Sequence, residues 1–379
     1  MKFSINFKSI TILVLLYPIL LGLIFLFNVS PFFITAPYFF LILVLLFLKV
    51  IQKQKISFHK NQAINVTLTF LLLITAVLNY SSIRYSLPIL FSFFIFILQL
   101  YAGMLNTKTD TLPNYLLIFK VYIALSVFFL VFLDFSNMEI GDRFKGFTGS
   151  PTTYSAFLVI IYLLIDTNLK AVNLKRIILF LIVFVFVYLS KTRLLILFML
   201  IYPVLTFIIN KKGLRYSTVY LVFFLILFFM YPIYSLVIDY FPELITLRYE
   251  DGRDASFGLR NYLYLEIEAE FYRGNYLELF FGKGNEYSRL YIEKIMEQDI
   301  YPHNDFLRIL NDWGLFGSIV FFIYLYRISK KNITTLMISL SYLILFYSNM
   351  IFNLFIISIL ILTSFQNTQK PQLETKNAN

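Results

Sequence analysis

Most of the chemistry this sequence can offer rests on one of its two histidines and a few arginines. His303 stands in Tyr301-Pro302-His303-Asn304-Asp305-Phe306-Leu307, which runs into Trp313-Gly314-Leu315-Phe316-Gly317. Pro302 blocks a helix from running through, and Asn304 or Asp305 can cap one that starts at Phe306. An imidazole held there titrates near neutral pH, so it can take a proton from a sugar hydroxyl without a large shift. An interfacial histidine that only makes a hydrogen bond fits the same residues. Arg143 lies in Gly141-Asp142-Arg143-Phe144-Lys145-Gly146-Phe147-Thr148-Gly149-Ser150-Pro151, and Arg193 in Ser190-Lys191-Thr192-Arg193, between two apolar runs. Arginine so near hydrocarbon is costly unless it has a partner, and its planar fork matches phosphate oxygens. Snorkelling to lipid headgroups is the other reading. With Arg260 from a long polar loop, these cations on the side of His303 suggest an anionic, lipid-linked substrate.

Other chemistries are excluded by what is missing. The chain has no cysteine, hence no thiol nucleophile, disulfide framework or Cys-ligated zinc. It also lacks a phosphate-binding GxxxxGK[ST] loop, a GxSxG elbow and an HExxH pair. The net charge of +11 does not point to nucleic acid, because the bases flank apolar runs, where they act as topology signals.

Those apolar runs are the elements that must position the polar residues. Of 379 residues, 59% are hydrophobic, 20% aromatic and only 14% charged, with mean hydropathy +0.78. No soluble core of this length hides so much apolar surface, and runs long enough to cross roughly 30 Å of hydrocarbon recur along the chain. The expectation is an all-α polytopic membrane protein with about twelve spans, near 10–27, 31–48, 63–79, 87–105, 114–133, 153–166, 177–190, 194–210, 218–238, 313–326, 333–348 and 349–365. A β-barrel would show strands of about ten residues with alternating polarity, which these continuous runs do not. The run after Lys2 and Lys8 lacks a small-residue cleavage site and reads as a retained first helix.

Lys49, Lys53, Lys55, Lys170, Arg176, Lys211 and Arg327 fall in alternate connections, which places both termini in the cytoplasm and the long connection outside. The organisation expected is a bundle of about nine helices over 1–238, a large loop over 239–312, C-terminal spans over 313–365 and a polar tail over 366–379. The loop is the acidic region of a basic chain, with eight Lys/Arg against fifteen Asp/Glu. Within it Leu263, Ile267 and Phe271 recur every fourth residue, as in an amphipathic helix lying on the membrane surface or on the bundle.

Together these residues resemble the bacterial O-antigen polymerase and O-antigen ligase superfamily of membrane glycosyltransferases. His303-Asn304, nine residues, then Gly314-Leu315-Phe316-Gly317 fits that family's His-Asn-x9-Gly-x-x-Gly pattern at the end of its large periplasmic loop. Arg143 to Gly146 resembles its Arg-x-x-Gly segment before a Pro, with Ser150 where Asn is usual; Thr192-Arg193 resembles its Ser/Thr-Arg at a span start. Gly258-Leu259-Arg260 and Gly282-Lys283-Gly284 resemble its loop Arg and Gly-x-Gly. The resemblance implies a GT-C-like helical fold in the inner membrane, the large loop periplasmic, and a donor sugar carried on undecaprenyl diphosphate. It implies neither metal nor nucleotide cofactor. His303, Arg193 and Arg260 are then catalytic. Arg143, Lys145, Asn304, Gly282, Gly284, Gly314 and Gly317 bind diphosphate or sugar. Expected partners are the undecaprenyl-diphosphate-linked oligosaccharide and membrane lipid, with a chain-length regulator protein left open. Polymerase and ligase share these motifs. A composition rich in Phe, Tyr, Ile, Lys and Asn, residues with A/T-rich codons, tips the reading to polymerase. A lipid-linked oligosaccharide flippase ranks third, since transporters keep their ionisable residues near mid-membrane.

Overall fold

The computed structural model describes residues 7–27, 31–52, 60–79, 87–103, 112–134, 143–169, 174–240, 255–297, 304–346 and 354–364, some of them by backbone alone. A backbone surrounded by hydrocarbon must satisfy its polar groups within its own segment, so long apolar runs become helices. The described residues contain helices and no strand. The helices are α1 Phe7–Leu26, α2 Pro31–Gln52, α3 Lys60–Leu78, α4 Leu87–Gly103, α5 Leu112–Phe129 with a π-helical turn Leu130–Asp134, α6 Pro151–Asp166, α7 Leu174–Leu189, α8 Arg193–Lys212 and α9 Tyr216–Tyr240. Then follow α10 Ala255–Tyr272, α11 Tyr276–Phe281, α12 Tyr287–Met296, α13 Asp305–Ser329, α14 Ile333–Leu345 and α15 Leu354–Ser364.

Each stretch read as a span contains a helix among the described residues. Four described stretches combine the length and apolarity to cross a membrane, namely Asn61–Leu78, Tyr115–Phe132, Arg193–Lys212 and Asp305–Ser329; six others, such as Pro151–Asp166 and Ile333–Leu345, are apolar but shorter. The helix α14 packs against α6, α8, α9, α13 and α15 and is buried from Thr334 to Leu345, while α13 reaches α3, α9, α10, α11, α12, α14 and α15. Conversely α8 keeps Leu197, Leu200, Val204 and Phe207 exposed, as expected of a face turned to lipid.

Side-chain contacts sort the helix ends. At one end Arg327 Nε donates to Asn65 Oδ1 at 2.8 Å, tying the C-terminus of α13 to the start of α3. Thr167 and Thr334 share a 2.7 Å hydrogen bond that ties the C-terminus of α6 to the start of α14, next to the end of α13. Asp166, fully buried, takes both Arg176 Nε at 2.5 Å and Nη2 at 2.7 Å and also accepts from the Tyr202 hydroxyl. The opposite end therefore gathers the N-termini of α6, α8 and α13 with the C-terminus of α3. There α10, α11 and α12 pack on α13.

Two expectations become sharper. The helix expected to start at Phe306, ahead of the span from 313, starts at Asp305. The Asn304 side chain caps the helix by accepting from Phe306 N and Leu307 N, and the chain kinks at Gly314 (φ 67°, ψ −174°) instead of stopping. The helix with Leu263 and Ile267 lies on protein, because both are fully buried with Ile292 of α12 against Leu307 of α13. The described part of the loop is thus a small helical layer with its own core.

Candidate functional site

Arg143 and Arg193, fifty positions apart in the chain, meet at one turn. Phe144 N donates to Leu189 O at 3.2 Å, which lays the segment before α6 along the α7–α8 turn. Arg143 then donates from Nε to Ser190 O at 3.1 Å and from Nη2 to Thr192 Oγ1 at 3.4 Å, directly beside Arg193. Ser155, Ser190 and Thr192 are buried and hydrogen-bonded to one another, with Ser155 Oγ at 2.5 Å from Ser190 Oγ and at 3.1 Å from Thr192 Oγ1. The N-termini of α6 and α8 are thereby fixed side by side. Ser150 caps α6, accepting from Thr153 N, with Pro151 at the first helical position.

The turn combines an unusual backbone with clustered basic residues. Lys191 adopts a left-handed backbone (φ 52°) that L residues avoid, and Arg193 opens α8 where the helix macrodipole is positive. Arg143, Lys145, Lys191 and Arg193 are all exposed. Arg143, Lys191 and Arg193 thus stand together beside two helix N-termini, a setting that favours negative charge.

The glycines of the long loop serve a different purpose locally. Gly282 (φ +91°) and Gly314 (φ +67°) interlock, for a Cβ on Gly314 would stand 2.4 Å from Gly282 N, and one on Gly282 would stand 2.2 Å from Asp312 O. A Cβ on Gly317 would meet the Trp313 and Thr75 side chains at 2.7 and 2.8 Å. Here the space a glycine leaves is filled by this chain's own atoms. Gly284 (φ +123°) lets Asn285 turn into the bundle, where Asn285 Nδ2 donates to Ala76 O at 2.6 Å and Oδ1 accepts from Trp313 Nε1 at 2.8 Å. Lys283 is clamped to Glu270, its Nζ 2.7 Å from Oε1, and Tyr287 donates to the same oxygen at 2.8 Å. Burial works to raise the Glu270 pKa, but the hydrogen bonds from Lys283 and Tyr287 outweigh it and hold the carboxyl below its ordinary value.

Sequence reading missed a buried polar cluster on the first turns of α13. Asp305, Arg308 and Asp312 share one helix face at steps of three and four, a pattern visible in the sequence. Arg308 Nη2 lies 3.8 Å from Glu286 Oε1 and its Nη1 3.6 Å from Asp305 Oδ1. Asp312 Oδ1 accepts from Ser288 N at 2.8 Å and Ser288 Oγ at 2.7 Å, anchoring the start of α12. Glu286 itself sits in a left-handed backbone (φ 60°). Glu286 Oε2, Asn304 Nδ2 and Asn311 Oδ1 are buried with no hydrogen-bond partner among the described residues. Buried unsatisfied groups of this kind commonly mark a place where a water, ion or ligand belongs.

Of the residues singled out from sequence, Arg143, Lys145 and Arg193 come together, while Asn304, Gly282, Gly284, Gly314 and Gly317 gather around α13 at the same end of the bundle. Arg260 lies on α10, where only the backbone is described, and His303 lies outside the described residues. Residues 178–322 match the family model described as O-Antigen ligase. That stretch runs from the first turn of α7 to Phe322 and supports the O-antigen ligase and polymerase superfamily inferred from the motifs. No curated protein matches the chain.

Proposed function

Taking residues 178–322 as an O-antigen ligase-family region, we propose that this membrane protein is an O-antigen polymerase, joining undecaprenyl-diphosphate-linked oligosaccharide units at the periplasmic face of the inner membrane. Arg143, Arg193 and Arg260 hold the donor diphosphate, with Lys145 beside them, and His303 faces the acceptor. The acceptor hydroxyl attacks the anomeric carbon from the side opposite the diphosphate, and the configuration inverts. The bond from that carbon to the diphosphate oxygen breaks, its electron pair stays on the departing oxygen, and the hydroxyl proton passes to His303. Growing negative charge on the leaving group is met by these guanidiniums, the task a metal performs in other transferases. No step is routed through a metal or nucleotide.

The observation that carries this reading is the cationic turn formed by Arg143, Lys191 and Arg193 over two helix N-termini. A diphosphate bound there would gain from the guanidinium donors and from the two helix N-termini. A ligase that moves the finished glycan to lipid A core is the second reading, favoured by the description of the matched family. The deciding measurement is the glycan on cells lacking the protein. A core bearing a single repeat unit supports polymerase, and a core with no glycan supports ligase. Purified protein in detergent, given lipid-linked oligosaccharide in EDTA with and without lipid A core, should lengthen the lipid-linked chains; failure to form any glycosidic bond with either acceptor would reject both enzymatic readings.

A further inference from the structure

The short helix α11 leaves an apolar face uncovered. Tyr276 is 91% exposed and Leu277 71%, and Phe280 and Phe281, one turn on, are exposed beside them. Tyr272, at the end of α10, extends the patch. A run of aromatic and aliphatic side chains this open is unusual for a surface facing water and marks an interaction site. At its start Asn275 and Glu278 close a reciprocal cap, which fixes the helix that presents this face.

The surroundings identify what covers the face. Phe280 and Phe281 stack toward Phe316, with ring centroids 6.0 and 6.1 Å away. Next to Phe316 on α13 are the exposed Leu315 and Ile319. The patch is therefore continuous with the outward apolar face of a helix long and apolar enough to cross a membrane. It is also held rigidly, through the interlocked Gly282 and Gly314 backbones and the 2.9 Å bond from Asn79 Nδ2 to Phe281 O. Tyrosine and phenylalanine at the mouth of a span are the side chains found at headgroup depth.

We propose that α11 is a membrane-interface anchor: Tyr276, Leu277, Phe280 and Phe281 sit in the outer leaflet, at the depth where α13 enters it. The anchor holds the Gly282–Gly284 segment and the α10–α12 layer against the bilayer, so the loop stays over the headgroups from which a lipid diphosphate is drawn. The leaflet assignment rests on the periplasmic placement of the loop proposed above; the depth does not.

The absence of native cysteine makes single-site labelling clean. Nitroxides on L277C and Y276C in proteoliposomes should be more accessible to oxygen than to a water-soluble nickel chelate, like one on I319C and unlike one on K294C of α12. Nickel accessibility equal to that of K294C overturns the anchor. Shielding from both reagents also overturns it, since a protein partner would then cover the face. An impermeant maleimide added outside to cells should label K294C. Labelling only from within rejects the periplasmic loop and the outer leaflet, whatever the depth readings show.

Discussion

At the scale of single residues, the arginines test whether charge or shape matters. Arg193→Lys keeps the positive charge but loses the planar fork that holds two oxygens at once. If the diphosphate is gripped in that way, turnover falls by on the order of 10²-fold, the cost of one lost donor to a developing oxyanion, while the protein still inserts. In vitro chain elongation at saturating acceptor measures this; unchanged turnover means a point charge suffices. Ser150→Asn should instead be silent. Both side chains cap a helix, so thermal stability in detergent and chain length stay near those of the parent, whereas Ser150→Ala loses about 1 kcal/mol. The sequence flagged Ser150 as a departure from the family pattern, and its bond to Thr153 N shows why the change is small. Sequence could not reveal that Arg143 reaches Ser190, because that contact joins segments forty-seven residues apart.

At the scale of elements, the helices were legible because apolar runs in lipid have few alternatives. The Gly-x-Gly and Gly-x-x-Gly motifs were legible as sites of close approach, but not that they approach each other. Gly314→Ala must place a Cβ within 2.5 Å of both Gly282 N and Phe280 O, on a backbone that costs an L residue about 1–3 kcal/mol before any collision. The variant should lose the α11–α13 clasp, read as a lower unfolding temperature and faster hydrogen exchange in 276–296. A second prediction concerns acid. The Glu270 carboxyl is held below its ordinary value by Lys283 and Tyr287. Its contribution to stability is therefore complete above the unfolded carboxyl pKa and disappears as pH falls through the lower folded value. Hydrogen-exchange protection in α12, relative to the unstructured rate at each pH, should fall across that acid window and stay flat above it. Lys283→Met should weaken the acid response; a full response in that variant would place its origin elsewhere.

For the molecule as a whole, the two ends of the bundle do different work, and this can be separated experimentally. The end carrying Asp166, Arg176 and Tyr202 is a closed polar clamp, with a fully buried carboxylate whose charge Arg176 meets. The end carrying Arg143, Lys191 and Arg193 is an open one, with exposed cations on helix N-termini. Net charge and composition could not distinguish these roles, since both ends are built from arginines beside apolar runs. Removing one partner of a buried ion pair strands the other, at a cost of about 3–5 kcal/mol. Arg176→Met should therefore lower the unfolding temperature sharply, and the fraction that remains folded should bind a polyprenyl diphosphate with parental affinity. Arg143→Gln should do the reverse. It gives up the half-exposed bonds to Ser190 O and Thr192 Oγ1, so stability without ligand falls only by about 1 kcal/mol, while the stabilisation by added polyprenyl diphosphate, about 2.7 kcal/mol at a hundredfold excess over Kd, shrinks. Thermal unfolding of both variants in detergent, with and without the diphosphate, reads the two effects in one experiment. If Arg143→Gln keeps the full ligand shift, the cationic turn is a structural joint and the diphosphate binds elsewhere.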